Sequence, residues 1–283
     1  MKVLVTGANG QLGQDVATLF AEQHEVRGLG RAQLDITNLE QCLEQVESFR
    51  PDVIIHCAAY TAVDQAESDV DGAYLVNAVG TRNMAAAAEK VGSKLCYIST
   101  DYVFDGKGTS PYREYDKTNP SGIYGKSKEA GEQLAMSLCS RYFIVRTSWV
   151  YGLHGNNFVK TMLKLSEDRD RLKVVHDQIG SPTFTEDLAG FLLALVNTEK
   201  YGIYHASNSG ICSWYEFAKA IFEESGKATI VEPCTTDEFP RPAPRPSYSV
   251  MDHLSIRTNG FNEIRPWREA LIDFLQKYGQ VKA

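Results

Sequence analysis

The chain opens on a short apolar run that passes straight into a glycine turn, and this junction limits the fold more than any other stretch. Lys2-Val3-Leu4-Val5-Thr6 is followed without a spacer by Gly7-Ala8-Asn9-Gly10-Gln11-Leu12-Gly13, and helical spacing begins at Leu12. A turn this tight needs residues without a Cβ, so that backbone N–H groups can approach an anion at the N-terminus of the helix. The spacing is GxxGxxG rather than the commoner GxGxxG, and a glycine pattern alone is a weak signal. Its position directly behind a buried strand makes Gly7, Gly10 and Gly13 a candidate dinucleotide-binding turn.

The rest of the first half repeats the alternation of strand and helix. Apolar runs at Val3–Val5, Val53–Cys57, Leu95–Ile98 and Phe143–Val145 read as buried strands. Helical stretches lie between and after them, around Leu12–Glu22, Leu39–Phe49, Ala73–Val91 and Gly122–Leu138. In the last of these, Ala130, Leu134 and Leu138 mark one face at i+4 spacing. Strands separated by helices pair in parallel through right-handed crossovers, which predicts an α/β fold with a doubly wound sheet. Residues 1–150 are assigned to the dinucleotide-binding domain, which also receives later segments near 174–206. Residues 151–283 then form mainly a smaller α/β substrate lobe on the carboxyl edge of the sheet. The stretch Pro233–Ser249 carries five prolines and reads as an extended loop.

Two features refine the chemistry. The second strand, Glu25 onward, ends at Gly30-Arg31 without the carboxylate that commonly binds the ribose hydroxyls of NAD. Arg31 stands where a 2′-phosphate could be met, which favours NADPH, with NADH as the alternative and a solvated surface arginine as the plainer reading. Tyr124-Gly-Lys-Ser-Lys128 then places a phenol and an ammonium at i and i+4 of one helix. A phenol titrates near pH ~10, and a neighbouring cation is expected to lower that value toward useful acid–base chemistry. The spacing recurs at Tyr215/Lys219 and Tyr278/Lys282, so it proves little alone. Only Tyr124 lies in the dinucleotide-binding half and opens the helix after the strand ending at Ser99-Thr100. Thr100 adds a hydroxyl at a strand end that can hold a carbonyl oxygen beside the phenol.

Composition narrows the field further. With 283 residues and a formal charge of −7, a broad basic face for nucleic acid is not expected. The six cysteines and six histidines are scattered without metal-ligand spacing, so free thiols and no metal site are expected. No signal segment precedes the first strand and no apolar run approaches the ~18 residues of a membrane span. A cytoplasmic protein without a membrane partner is the expectation.

The chain resembles the extended short-chain dehydrogenase/reductases, and within them the dTDP-4-dehydrorhamnose reductase family, along essentially its whole length. The likeness rests on the Gly7–Gly13 turn, Asp52–Asp64, Ser99-Thr100-Asp101-Tyr102-Val103-Phe104 and Tyr124–Lys128. It continues through Arg146-Thr147-Ser148-Trp149-Val150-Tyr151, Gly155-Asn156-Asn157-Phe158 and Ala243-Pro244-Arg245-Pro246. The resemblance implies a Rossmann-type fold and NAD(P)H-dependent reduction of a 4-keto group on a dTDP-linked sugar. It implies that Gly10, Gln11 and Leu12 contact the pyrophosphate, that Asp35 and Ile36 meet adenine, and that Ala58, Ala59 and Tyr60 line the cofactor. Tyr124, Lys128 and Thr100 would be catalytic, with Tyr124 and Lys128 also touching the nicotinamide half. Thr100, Asp101, Trp149 and Arg245 would bind substrate. Related dehydratases carry Asp-Glu after the threonine, whereas Asp101 here is followed by Tyr102, which favours plain reduction. Some relatives are metal-bridged dimers, so a homodimer and Mg2+ enter as open questions. Another nucleotide-sugar reductase or epimerase, or a non-catalytic regulatory subunit of the same fold, are the rival readings.

Overall fold

The computed structural model describes residues 1–282, with side chains to residue 280. Its first half alternates strand and helix, with the central strands apolar and buried and β2 at the edge. The strands are β1 (Lys2–Thr6), β2 (Glu25–Leu29), β3 (Val53–His56), β4 (Lys94–Thr100) and β5 (Tyr142–Thr147). Helix α1 (Gln11–Ala21) follows β1 and α2 (Leu39–Phe49) follows β2. Between β3 and β4 run the short α3 (Val63–Ala66) and α4 (Val70–Tyr74), a π-helical turn (Leu75–Gly80) and α5 (Thr81–Val91). A 3-10 turn (Asp101–Val103) and α6 (Ile123–Leu138) connect β4 to β5.

Val3, Leu4, Val5, Val53, Ile54 and Ile55 are fully buried, because a parallel sheet covered on both faces leaves its central strands no wet side. Later elements are β6 (Val150–Tyr151), α7 (Phe158–Asp168), β7 (Arg171–Val175), β8 (Ile179–Gly180), β9 (Thr183–Phe184), α8 (Thr185–Val196) and β10 (Gly202–His205). They end with β11 (Cys212–Ser213), α9 (Trp214–Glu224), β12 (Ile230–Cys234), α10 (Leu254–Thr258) and α11 (Trp267–Lys282).

The main sheet runs β10-β5-β4-β3-β1-β2, all parallel. From β1 the chain first goes to one neighbour, β2, and then returns past β1 to β3 on the other side. That reversal opens a crevice at the carboxyl ends of β1 and β3, where such sheets bind ligands. One face of the sheet is covered by α1 and α8 (Phe20, Leu188, Leu192), the other by α2, α5 and α6 (Val46, Met84, Ala135). A separate core, with Tyr151, Phe184, Phe217 and Phe274, holds the later lobe.

Three local departures from the sequence reading matter. The helix expected over Ala73–Val91 is broken by the π-helical turn Leu75–Gly80, which carries the buried Asn77. On α6 the face at Ala130, Leu134 and Leu138 is not the buried one, and Leu138 is exposed. The buried face is Gly125, Ser127, Lys128, Gly131, Glu132 and Ala135, because its polar members all have partners beneath the helix. Pro233 lies in strand β12 rather than in a loop; β12 pairs only with β7, so a residue without an N–H is tolerated at that edge.

Candidate active site

At the crevice, β1 delivers the glycine turn. Gly7 has φ +65°, and a Cβ there would lie 2.7 Å from the Ala58 nitrogen, so the backbone behind β1 rests directly on the segment behind β3. A Cβ on Gly13 would meet the Gly7 carbonyl at 2.2 Å, which fixes how closely α1 packs on the turn. Gly10 caps α1 without a side-chain hydrogen bond, and the first turn holds no acidic residue. The amides opening α1 therefore have neither a side-chain cap nor an acidic neighbour in the first turn, which suits a pyrophosphate. Gln11 reaches the other way: its amide donates to the Val150 carbonyl at 3.1 Å and accepts from Asn157 at 2.9 Å, tying α1 to the lobe.

The remaining positions that the sequence associates with a dinucleotide ring this turn. Arg31 is exposed just past β2. Asp35 is exposed and accepts from the Thr37 amide and hydroxyl at 3.0 and 2.7 Å, bonds that hold its carboxyl below the usual range. Ile36 is buried against Gly80, and its carbonyl accepts from Asn83 at 2.9 Å. Ala58, Ala59 and Tyr60 are half-buried at the end of β3. The Tyr60 amide donates to Asn77 at 2.8 Å, and the Asn77 amide returns a bond to the Tyr60 carbonyl and another to Ser127 on α6. Leu12 is buried in the core beneath the turn.

Residue pairs on β4 and α6 build the reacting edge. Thr100 ends β4; its hydroxyl donates to Asp101 at 2.9 Å and accepts from the Tyr102 amide at 3.2 Å. Tyr124 lies in the first turn of α6, its ring edge-on to Tyr102 at 5.4 Å. Burial, first, and then the Asp101 and Tyr102 charges push its phenol well above the ordinary value, while the nearby Thr100 hydroxyl acts the other way. Lys128, one turn further, is 2% exposed; its ammonium donates to the Ile98 carbonyl at 2.7 Å and sits 4.1 Å from the Tyr97 ring centre. Burial brings it down to about 7, against the opposing pull of Glu132. The sequence expectation was that Lys128 acidifies Tyr124. Burial instead raises the phenol, and the Thr100 hydroxyl is the neighbour that favours the phenolate.

The residues expected to bind substrate lie beside this edge. Asp101 is buried, and burial raises its carboxyl to about 6. Arg245 comes from the proline-rich segment and pairs with Asp64 at 2.8 Å. Its Nη1 makes no hydrogen bond of good geometry, though the Tyr102 phenol lies close enough to feel the guanidinium. Trp149 has φ +49°, an uncommon backbone for a large side chain, and its ring stacks on Trp214 at 3.7 Å. The rival Tyr215/Lys219 pair is a contact along α9, with the ammonium 5.8 Å from the ring, while the Lys282 side chain lies outside the described residues.

Asn77, Ser127, Glu132 and Arg146 were not singled out from the sequence. For Asn77 the signal was a polar residue inside Leu75–Gly80, and for Arg146 a charge directly after the apolar run Phe143–Val145. Among the described residues no group of three or more His, Cys, Asp or Glu side chains could hold a metal ion, and no helix is long and apolar enough to cross a membrane. The six cysteines are unbridged.

Comparison with known proteins agrees with this architecture. The family model described as RmlD substrate binding domain matches residues 1–280. The chain is 48% identical to the spore coat polysaccharide biosynthesis protein SpsK of Bacillus subtilis, over 98% of this chain and 97% of that protein. It is 43% identical to dTDP-4-dehydrorhamnose reductase of Aggregatibacter actinomycetemcomitans, covering 95% of this chain and 97% of the relative. Among solved structures, the Bacillus anthracis dTDP-4-dehydrorhamnose reductase in complex with NADP superposes with a TM-score of 0.96 at 49% identity, covering 98% and 99% of the two chains. The Thermus thermophilus UDP-glucose 4-epimerase, at 21% identity and TM-score 0.84, shares the fold. A glycine cradle on β1, a tyrosine–lysine face on α6 and a match that spans both halves converge on one conclusion: the chain belongs to the RmlD substrate-binding-domain family.

Proposed function

We propose that this protein is an NADPH-dependent oxidoreductase that reduces the 4-keto group of dTDP-4-dehydro-L-rhamnose to give dTDP-L-rhamnose. The observation that carries the reading is the Thr100 hydroxyl beside the Tyr124 phenol, with Lys128 one turn further along α6 bonded to the Ile98 carbonyl, on a sheet whose β1 ends in a glycine turn. Relatives that share 38–48% of the sequence include several named dTDP-4-dehydrorhamnose reductase, and the 49%-identical Bacillus anthracis structure with NADP supports NADPH here.

Residues 1–150, with the returning β10 and α8, form the dinucleotide-binding unit, and the remainder of 151–283 carries mainly substrate. NADPH, when bound, supplies the hydride. The amides of Gly10, Gln11 and Leu12 bind its pyrophosphate and Arg31 faces the 2′-phosphate. Asp35 and the Ile36 backbone meet the adenine, and Ala58, Ala59 and Tyr60 flank the remainder. Lys128 holds the nicotinamide ribose. Thr100 hydrogen-bonds the sugar carbonyl, and Tyr124 gives its proton to that oxygen as negative charge develops on it. A phenol that burial keeps protonated suits this direction, since reduction consumes a proton at the oxygen. Arg245 answers the diphosphate, while Asp101 and Trp149 border the sugar. The nucleotide end supplies remote binding energy that positions a small reacting ring.

The test is NADPH oxidation with a panel of dTDP-linked keto sugars, with the products identified. Fast oxidation with dTDP-4-dehydro-L-rhamnose yielding dTDP-L-rhamnose supports the reading. Preference for a different keto sugar, such as the one named for the 39%-identical Streptomyces antibioticus 4-ketoreductase, would move the assignment to another nucleotide-sugar reductase. No turnover with any of them would favour a regulatory role.

A further inference from the structure

Beneath the reacting edge lies a buried polar chain that none of the roles above uses. Tyr124, Lys128 and Glu132 stand at i, i+4 and i+8, one above the other on α6. Glu132 is 2% exposed, and its carboxylate takes Arg146 in a two-pronged grip, with Nε at 2.9 Å and Nη2 at 2.7 Å. The Ser99 hydroxyl donates to the same carboxylate at 2.5 Å. Ser99 and Arg146 are register partners across β4 and β5, and Ser99 immediately precedes Thr100. Arg146 Nη1 lies 3.3 Å from His205 Nε2. Arginine only donates, so Nε2 carries the lone pair and Nδ1–H donates to the Tyr112 and Asp252 carbonyls, both at 3.1 Å. The chain therefore runs from α6 through β4, β5 and β10 to the Tyr112 and Asp252 carbonyls.

An ion pair buried this deeply seldom outperforms apolar packing for stability, so its presence points to another use. The surroundings of Lys128 suggest which. From β4 it meets the Tyr97 ring and the Ile98 carbonyl; from β3, His56, which burial holds neutral, and then Cys57, whose thiol burial raises to about 12. The π-helical turn offers the uncharged Asn77, α6 itself offers Tyr124 and Glu132, and Arg146 on β5 is engaged by Glu132. Among the described residues, Glu132 is the carboxylate that acts on this ammonium.

We propose that Glu132 is a positioning residue of the reduction: its carboxylate stands one helical turn from Lys128 as that ammonium's counter-charge and, through Ser99 and Arg146, locks α6 to the carboxyl ends of β4 and β5. This rests on the proposed role of Lys128 at the nicotinamide ribose. Two variants test it: Glu132→Gln, and the double variant Glu132→Gln/Arg146→Gln, which removes the carboxylate without stranding a buried guanidinium. The titration midpoint of Lys128 is read by carbon-13 NMR of lysine-labelled protein, assigned with Lys128→Met, alongside the pH dependence of kcat.

In both variants the midpoint should fall by about one pH unit or more, since an opposite charge close by is worth that much. The kcat at neutral pH should fall about tenfold and recover in part as the pH is lowered and Lys128 regains its proton. A purely structural lesion would not recover in this way. A wild-type midpoint in the double variant, or a kcat loss equal at every pH, overturns the proposal. Wild-type protein that oxidises no NADPH with the keto sugar would instead refute the proposed reaction, while the NMR midpoint still judges Glu132.

Discussion

In the half built on β1–β5, each strand lies beside its neighbours along a ladder of four to six residues, and every core strand is buried on both faces. In the later lobe β7·β12 runs for five residues, but the ladders β6·β9 and β8·β11 are two residues long, and aromatic rings provide much of the core. Tyr151, Phe184, Phe217 and Phe274 lie within 6 Å of one another's rings in several pairs, with Phe158 and Trp267 beside them. The difference teaches where function can be placed. A sheet whose strands are fixed by backbone ladders leaves the side chains at its carboxyl edge free to be polar and reactive. A lobe fixed by side chains has fewer to spare, and offers a shaped wall rather than a reacting group.

This contrast predicts that substitutions at the sheet edge change activity while those in the lobe change stability. Tyr124→Phe should carry the largest effect: kcat lowered about 10²- to 10⁴-fold, with the melting temperature and NADPH affinity near wild type. A steady-state assay beside a thermal melt checks both halves of the statement. Phe217→Ala should do the reverse. Its ring is fully buried and its ring neighbours lie in the lobe, so urea unfolding should show a loss of about 3–5 kcal/mol. The protein that remains folded should still bind NADPH.

Asp101 stands between these cases, being both buried and at the edge. Its folded-state carboxyl, raised to about 6 from an ordinary 3.8, binds a proton more readily than in the unfolded chain. Between those values stability must fall as pH rises, and above about 6 the whole penalty for the buried charge is present. Asp101→Asn should therefore be more stable than wild type at pH 7–8, by up to about 3 kcal/mol, with the gap closing toward pH 4. Unfolding curves across that range check the sign, and a gap that widens in acid would contradict it. The smallest effect is expected at Arg31, which is exposed at the rim. Arg31→Ala should raise the KM for NADPH about tenfold and leave that for NADH unchanged, as competing cofactor assays can show.

How much of this was legible beforehand follows from the same contrast. Strands such as Val53–Ile55 announce themselves because a doubly covered parallel strand is an unbroken apolar run. The glycine turn is local in sequence, so its site could be read from seven consecutive residues. The buried face of α6 could not, because the residues facing inward are Lys128, Ser127 and Glu132, and their burial depends on partners more than a dozen residues away in each direction. Apolar periodicity pointed instead to Ala130, Leu134 and Leu138, the wetter side. The π-helical turn was hidden for a related reason: nothing in Leu75–Gly80 resists an ordinary helix, and the extra residue is held by Asn77 bonding across to Tyr60. The two-residue ladders β6·β9 and β8·β11 have no periodicity to detect.

The central claim is that one crevice, at the reversal between β1 and β3, brings the cofactor to the Tyr124 phenol. A crystal structure of the protein with NADPH and dTDP bound measures this most directly. The pyrophosphate is expected on the amides that open α1, and the phenol oxygen about 3 Å from the position of the reacting carbonyl oxygen, on the side of the nicotinamide. A dinucleotide bound elsewhere, or a Tyr124 hydroxyl turned away from the nicotinamide ring, would contradict it.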